Sequence, residues 1–460
     1  MIDRMLDGNV DVLEGKPEKA IVTLAIPILI YLFISNSYNI IDGMWISGIG
    51  KAAITGVGSV TPLFNVVNGV GMGIGAGATS AISYFIGLND KDKADNVGLH
   101  TIILTLIISV ILTVVIVFSL KYYLGMYHIG SDAFNQAMEY GIPLFLNLYS
   151  FVFLGVLTGI LRGEGETKKP MIASSTGLIL NAILDPVFIY ILNMGVMGAA
   201  VSTILTSILS LIILSYWVFV KKTTYIQFSF KSFKFDSSII KRILSVGFPA
   251  SVELVIMNIA TTLYLMFISS ISGNYGVAVF TTGNWIYYLG IMPITATCFA
   301  LVPVVGNSFG AGDLEKIKNA YKFGCKYAVI LGTLIAICIF VFAEPLGLIF
   351  ANTSQNSDLL GGLVLFIRIV VFCLPFLGIG LPSTFMYQGL GKGVQSLMWT
   401  LIRELLFSVF FTYLFGIVFS YGLMGIWTGL VVGRTLANIL NYIFANRTLN
   451  HLNLEQTDIG

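Results

Sequence analysis

Apolar runs of about twenty residues or more recur along nearly the whole chain, from Ile21 to Phe444. Each is long enough, as a helix rising 1.5 Å per residue, to cross about 30 Å of hydrocarbon. Twelve spans are predicted, at about 20–48, 52–87, 94–122, 132–161, 168–193, 195–220, 240–271, 276–309, 317–345, 358–390, 393–419 and 421–446. Only 10% of the 460 residues are charged, where a soluble chain carries about 25%. The mean hydropathy is +0.89. The fold class that follows is an all-α polytopic membrane protein.

Basic residues give the orientation. If the N-terminus is cytoplasmic, only Lys51 and Lys121 fall in outer loops. Arg4, Lys91, Lys93, Arg162, Lys168, Lys169, Lys221, Lys222, Lys231, Lys234 and the other loop cations fall inside. Both termini are then cytoplasmic, and these cations act as topology signals rather than as a nucleic-acid surface. The stretch before Pro17 is polar and acidic, so the first span is expected to serve as its own insertion signal. Cys298, Cys325, Cys338 and Cys373 have the spacing of neither a disulfide framework nor a metal site.

The second half repeats the first. Ala25-Ile26-Pro27 opens span one as Gly247-Phe248-Pro249 opens span seven. Asp90, Lys93 and Asn96 correspond to Asp313, Lys316 and Asn319; Gly163-Glu-Gly165 corresponds to Gly389-Leu-Gly391. Six spans per repeat is an even number, so the repeats are parallel, an arrangement that in carriers encloses a substrate path and works by rocking. The organisation expected is a cytoplasmic segment 1–19, an N-lobe 20–222, a linker 223–239, a C-lobe 240–446 and a cytoplasmic tail 447–460. The linker's aromatic and basic residues suit a lipid interface.

Two aspartates interrupt the apolar runs of the first half. Asp42 follows Tyr-Asn-Ile-Ile, and Asp185 follows Asn-Ala-Ile-Leu. A carboxylate at mid-membrane costs about 2.5–3.5 kcal/mol even on insertion scales, which marks it as a functional candidate. Tyr38 precedes Asp42 by four residues and Asn181 precedes Asp185 by four, so each pair shares a helix face. Thr203 lies about 12 Å into span six from Gly195, at the same expected depth. Two carboxyls, an amide, a phenol and a hydroxyl suit Na⁺ or a proton, with Asp42, Asn181, Asp185 and Thr203 as the Na⁺ ligands; without Cys or His a transition metal is excluded. Pro27 and Pro186 remove backbone donors and favour bends.

The charges of the second half come in both signs. Glu253, Arg403, Glu404 and Arg434 lie in spans seven, eleven and twelve, where mutual pairing gives a structural role and a second ion site or gate is the alternative. Arg368 stands alone in span ten. The glycines at 69, 71, 73, 75 and 77 alternate along span two and suit close helix packing. No Ser/His, Cys/His or metal-ligand cluster points to an enzyme, and no cofactor is expected beyond a coupling ion.

Together these motifs resemble the multidrug and toxic compound extrusion (MATE) transporters over nearly the whole length. The resemblance rests on Ile26-Pro27, Tyr38-Asn-Ile-Ile-Asp42, the inner loop Gly87 to Asn96 with its repeat at Gly310, Arg162 to Pro170, Asn181 to Pro186, and Gly195 to Ala200. It implies two pseudo-symmetric six-helix lobes. It also implies a prokaryotic plasma membrane, H⁺ or Na⁺ binding at Tyr38, Asp42, Asn181, Asp185 and Thr203, and bending at Pro27. The implied activity is antiport that exports bulky, often cationic and aromatic amphiphiles, by a monomer in lipid. A lipid-linked precursor flippase and an ion-coupled symporter are the rival readings.

Overall fold

The computed structural model describes residues 10–229, 233–351 and 358–452; Arg4, Phe230 and Lys231 lie outside them. Among the described residues every regular element is helical. Ten helices are long and apolar enough to cross a membrane, from Pro17–Ile49 to Gly422–Asn450. Ser131–Leu146 and Leu148–Gly163 form one further span bent by 51°. The longest run, Ser237–Gly310, is broken at Gly273, whose φ of 54° and ψ of −141° leave helical space. It therefore contains two of the predicted spans, and all twelve are accounted for.

The bend in the fourth span has a local cause. Asn147, at φ −93° and ψ 15°, stands between its two helices. The Asn147 amide donates to Ser150 Oγ (2.6 Å) and Ser207 Oγ (3.3 Å), and the two hydroxyls lie 2.8 Å apart. Side chains from the sixth span thus meet polar groups at the break, the usual way a kink is stabilised inside a bundle.

Alternating glycines have a physical reason on a helix. Positions four apart share a face, so a period of two divides the stripe between two neighbours. Gly71 and Gly75 lie against Val152, Gly155 and Gly159 of the fourth span, while Gly73 and Gly77 lie against Ile243, Gly247 and Ser251. A Cβ on Gly159 would overlap the backbone of Gly75. Lipid offers no hydrophobic force between helices, so such approaches supply the packing. Gly159→Val should therefore destabilise the protein by about 1–3 kcal/mol or more, as overpacked cores do, read as a fall in melting temperature in detergent.

The chain forms two compact units, one comprising Ile26–Ser251 and the other Gly15–Ala25 with the chain from Val252 onward. Val60, Ile82, Leu120, Phe145 and Val152 belong to the first core. The second is more aromatic: Phe280 stacks on Trp427 with centroids 5.8 Å apart, and Phe366 meets Trp427 edge-on at 4.8 Å. Repeat-related turns have the same local geometry. Asp90 caps the third span by accepting from Lys93 N–H, and Asp313 caps its counterpart by accepting from Lys316 N–H. Gly165 and Gly391 both have positive φ, 84° and 75°, which explains glycine at both positions.

The linker is docked through its backbone. Lys169 Nζ donates to Thr223 O (2.5 Å), Lys91 Nζ to Tyr225 O (2.5 Å) and Asn96 Nδ2 to Lys234 O (2.7 Å). Glu164 Oε2 accepts from Ile226 N–H (2.9 Å) and Asp95 Oδ1 from Gln227 N–H (2.8 Å). His100 Nδ1 faces a carbonyl, so it carries the proton, and Nε2 accepts from Asp236 N–H. Ile226 is fully buried, whereas Phe235 is exposed. Lys169, expected to be a topology cation, is fully buried 3.5 Å from Glu166.

Burial pushes the Glu164 carboxyl up to about 8, against the opposing pull of Ile226 N–H and Lys169. Between the ordinary value near 4.5 and about 8 the folded chain holds a proton that the unfolded chain releases. Stability from this group is therefore greatest at low pH, falls as pH rises through that window and is level above it. Melting temperatures taken from pH 5 to 9 should show that decline, and Glu164→Gln should flatten it.

Candidate cation site

The fifth span supplies the fixed half of the site. Within Lys168–Pro186, Asn181 and Asp185 are one turn apart and both buried, Asp185 completely. Asn181 Nδ2 donates to Asp185 Oδ1 (3.0 Å) and to Ser202 Oγ (3.0 Å). Ser202 Oγ in turn donates to the same Asp185 Oδ1. Both donors are thus spent on one carboxylate oxygen. Asp185 Oδ2 receives no N–H or O–H from the protein.

The carboxyl of Asp42 lies within hydrogen-bonding reach of the Asp185 carboxyl. Two carboxyls can approach so closely only with a proton between them or a cation in its place. Tyr38, one turn before Asp42, reaches the Thr203 hydroxyl, and Thr203 Oγ1 donates to Ala199 O (2.9 Å). All five residues singled out by depth, Tyr38, Asp42, Asn181, Asp185 and Thr203, are thus gathered within one unit. Every available ligand atom is oxygen, which fits Na⁺ or a proton and not a transition metal. Pro27 lies buried inside Pro17–Ile49, which remains helical across it.

The sequence reading missed two members. Tyr140, buried on the fourth span, lies close enough to feel both carboxylates; its expected depth near the start of that span was a usable signal. Ser202 lies on the buried face of the sixth span with Thr206 and Ser210. That i, i+4, i+8 polar series in an apolar helix is legible in the sequence.

The charges of the second unit are assembled differently. Glu404 accepts from Arg403 Nε (2.9 Å) through one oxygen and from Arg434 Nη2 (3.1 Å) through the other. Arg434 Nη1 donates to Tyr287 OH (3.0 Å), which lies 3.0 Å from Cys373 Sγ. Adjacent residues diverge on an α-helix; Arg403 and Glu404 meet where Ile402–Val409 is a π-helix. Glu253 stands apart from these pairs, its oxygens held by Ser396 Oγ (2.6 Å) and Gln388 Nε2 (3.5 Å). Arg368 stacks over the Phe340 ring at 5.6 Å. Removing one partner of a buried ion cluster costs about 3–5 kcal/mol. Glu404→Gln should lower the melting temperature sharply, and a Glu404→Gln, Arg434→Met double variant should recover part of that loss.

Twelve apolar spans, with a pair of carboxyls inside those of the first unit, define a polytopic membrane transport protein. The MatE family profile matches residues 27–187 and 249–414. A probable multidrug resistance protein NorM of Thermotoga maritima is 25% identical, covering 94% of this chain and 93% of its own length. A solved structure described as the outward-facing conformation of a multidrug resistance MATE family transporter of the MOP superfamily is 35% identical. It superposes with a TM-score of 0.94, covering 97% of this chain and 99% of that one. Another, described as MATE in the bent conformation, is 34% identical with a TM-score of 0.92, over 97% and 98%. The chain belongs to the MATE family of multidrug efflux transporters. It is a multi-pass membrane transporter of small molecules and not an enzyme.

Proposed function

We propose that this transporter is a cation-coupled efflux antiporter in which Asp42 and Asp185 bind the coupling ion, H⁺ or Na⁺, with Tyr38, Asn181 and Thr203. One observation carries the reading: a fully buried aspartate with one unpartnered oxygen lies beside a second carboxyl, with only neutral donors around the pair. Such a pair takes up one cation readily and is costly without it. The substrates are bulky amphiphiles, often cationic and aromatic, exported by alternating access from a prokaryotic cytoplasm across the plasma membrane. The loop cations favour cytoplasmic termini. The repeats serve as an N-lobe at 20–222 and a C-lobe at 240–446 joined by the linker, and a single chain suffices. Pro27 lets the helix carrying Asp42 bend, and the similar structure in a bent conformation makes that motion reasonable for this chain.

The driving force has a bound. One charge entering across 100 mV yields about 2.3 kcal/mol, enough for roughly a 50-fold gradient of a neutral substrate at 1.4 kcal/mol per tenfold. Exchange of a monovalent cation for one ion is electrically silent and draws on the chemical gradient of the ion alone.

The test is ethidium efflux from a pump-deficient strain under imposed proton or sodium gradients. Wild type should export under one of the gradients, which names the ion. Asp42→Asn and Asp185→Asn should reach the membrane at normal levels and lose export at least tenfold. Export by both variants at the wild-type rate would reduce the site to helix glue, and uptake instead of export would favour symport.

A further inference from the structure

The two carboxyl helices are held very unequally. Asp185 is fully buried, whereas from Ile28 to Gly50 of the first span Ile46 alone is buried. Little packing therefore fixes where Asp42 stands. Beside Ile46 lies a contact between the same two helices. Tyr190 OH donates to the backbone carbonyl of Trp45 (2.6 Å), and the two rings meet edge-on with centroids 6.3 Å apart. Six residues beyond Asp42, Gly48 provides the seat, since a Cβ there would overlap the Tyr190 hydroxyl.

Position in the chain gives this contact its meaning. Trp45 follows Asp42 by three residues, about 4.5 Å along the axis. Tyr190 follows Asp185 by five and lies in Val187–Ile191, a π-helical segment immediately after Pro186. Contact and carboxyl pair thus bridge the same helices within about two turns. π-Turns mark functional segments more often than regular helix does, and this one aims the phenol across to the first span. A tyrosine ring is stiff, so it transmits position better than a flexible side chain would.

We propose that Tyr190 is a positioning residue for the coupling cation: its bond to the Trp45 carbonyl, seated over Gly48, fixes Asp42 against Asp185 and so sets the affinity of the site. The inference rests on the reading that these carboxyls bind the coupling ion. Tyr190 touches neither the ion nor the carboxyls. It pre-organises the site, and breaking its bond releases the first span when that helix bends. Binding sites gain affinity when their ligands are held in place before the ion arrives.

The experiment uses the full chain in proteoliposomes and measures the half-saturating ion concentration separately from the maximal efflux rate. Tyr190→Phe keeps the ring and removes the hydroxyl; Gly48→Ala fills the seat. Each should raise the half-saturating concentration about tenfold, equivalent to about 1.4 kcal/mol, while the maximal rate changes far less. If the ion is a proton, the midpoint moves down by about one pH unit. An unchanged half-saturating concentration in both variants overturns the proposal, as does a loss confined to folded yield and maximal rate. Asp42→Asn and Asp185→Asn run alongside: wild-type ion dependence in both overturns the cation reading itself, whereas their failure beside a normal Tyr190→Phe sinks only the positioning role.

Discussion

Hydrocarbon gives a carboxylate nothing to bind, and the architecture of the first unit follows from that constraint around Asp185. Water would solvate both oxygens; inside the bundle the chain must provide the donors or leave the oxygen to another ligand. It does both. Asn181 and Ser202 serve Oδ1, Oδ2 is left without a donor, and Asp42 stands beside the carboxyl. A fully satisfied Asp185 would be inert. An unsatisfied one beside a second acid is costly unless a proton or cation stands between the two.

The second unit solves the same problem in the opposite way. Glu404 is saturated by two guanidiniums, one of which also reaches Tyr287. With its counter-charges built in, the Glu404 carboxylate has no deficit for an external cation to fill. The two units therefore differ in kind, although the sequence presents both as charges in apolar helices. The deciding quantity is local charge balance: two acids and no base in one site, one acid between two bases in the other.

Much of this was legible in the residue order. Run length and punctuation gave all twelve spans, because hydrophobic span length is set by the bilayer and not by tertiary detail. Helical periodicity and counted depth brought Tyr38, Asp42, Asn181, Asp185 and Thr203 to one place. What escaped were contacts that depend on rotation about a helix axis. Ser202 rather than its neighbour Thr203 touches Asp185, a difference of about 100° around the sixth span. Gly273 and the π-turn at Arg403 alter direction or rotation without any change in hydrophobicity. Lys169 reads as a loop cation and is buried, because its partner Thr223 lies in a segment whose approach no local pattern records.

Unequal packing separates the two helices that carry the carboxyls. The fifth span buries Asp185 among committed hydrogen bonds, so displacing it would break several of them at once. The first span buries almost nothing between Ile28 and Trp45, and its proline leaves the Thr23 carbonyl without an intrahelical donor. In a bilayer, sliding an apolar face from protein to lipid costs little, since both are equally dry. The position of that helix is then governed by a few directional contacts: Tyr38 to Thr203, Asp42 to Asp185, and Tyr190 to the Trp45 carbonyl. Each of the three joins the first span to the fifth or the sixth, so a change at any one of them alters the balance of a helix that has little else holding it.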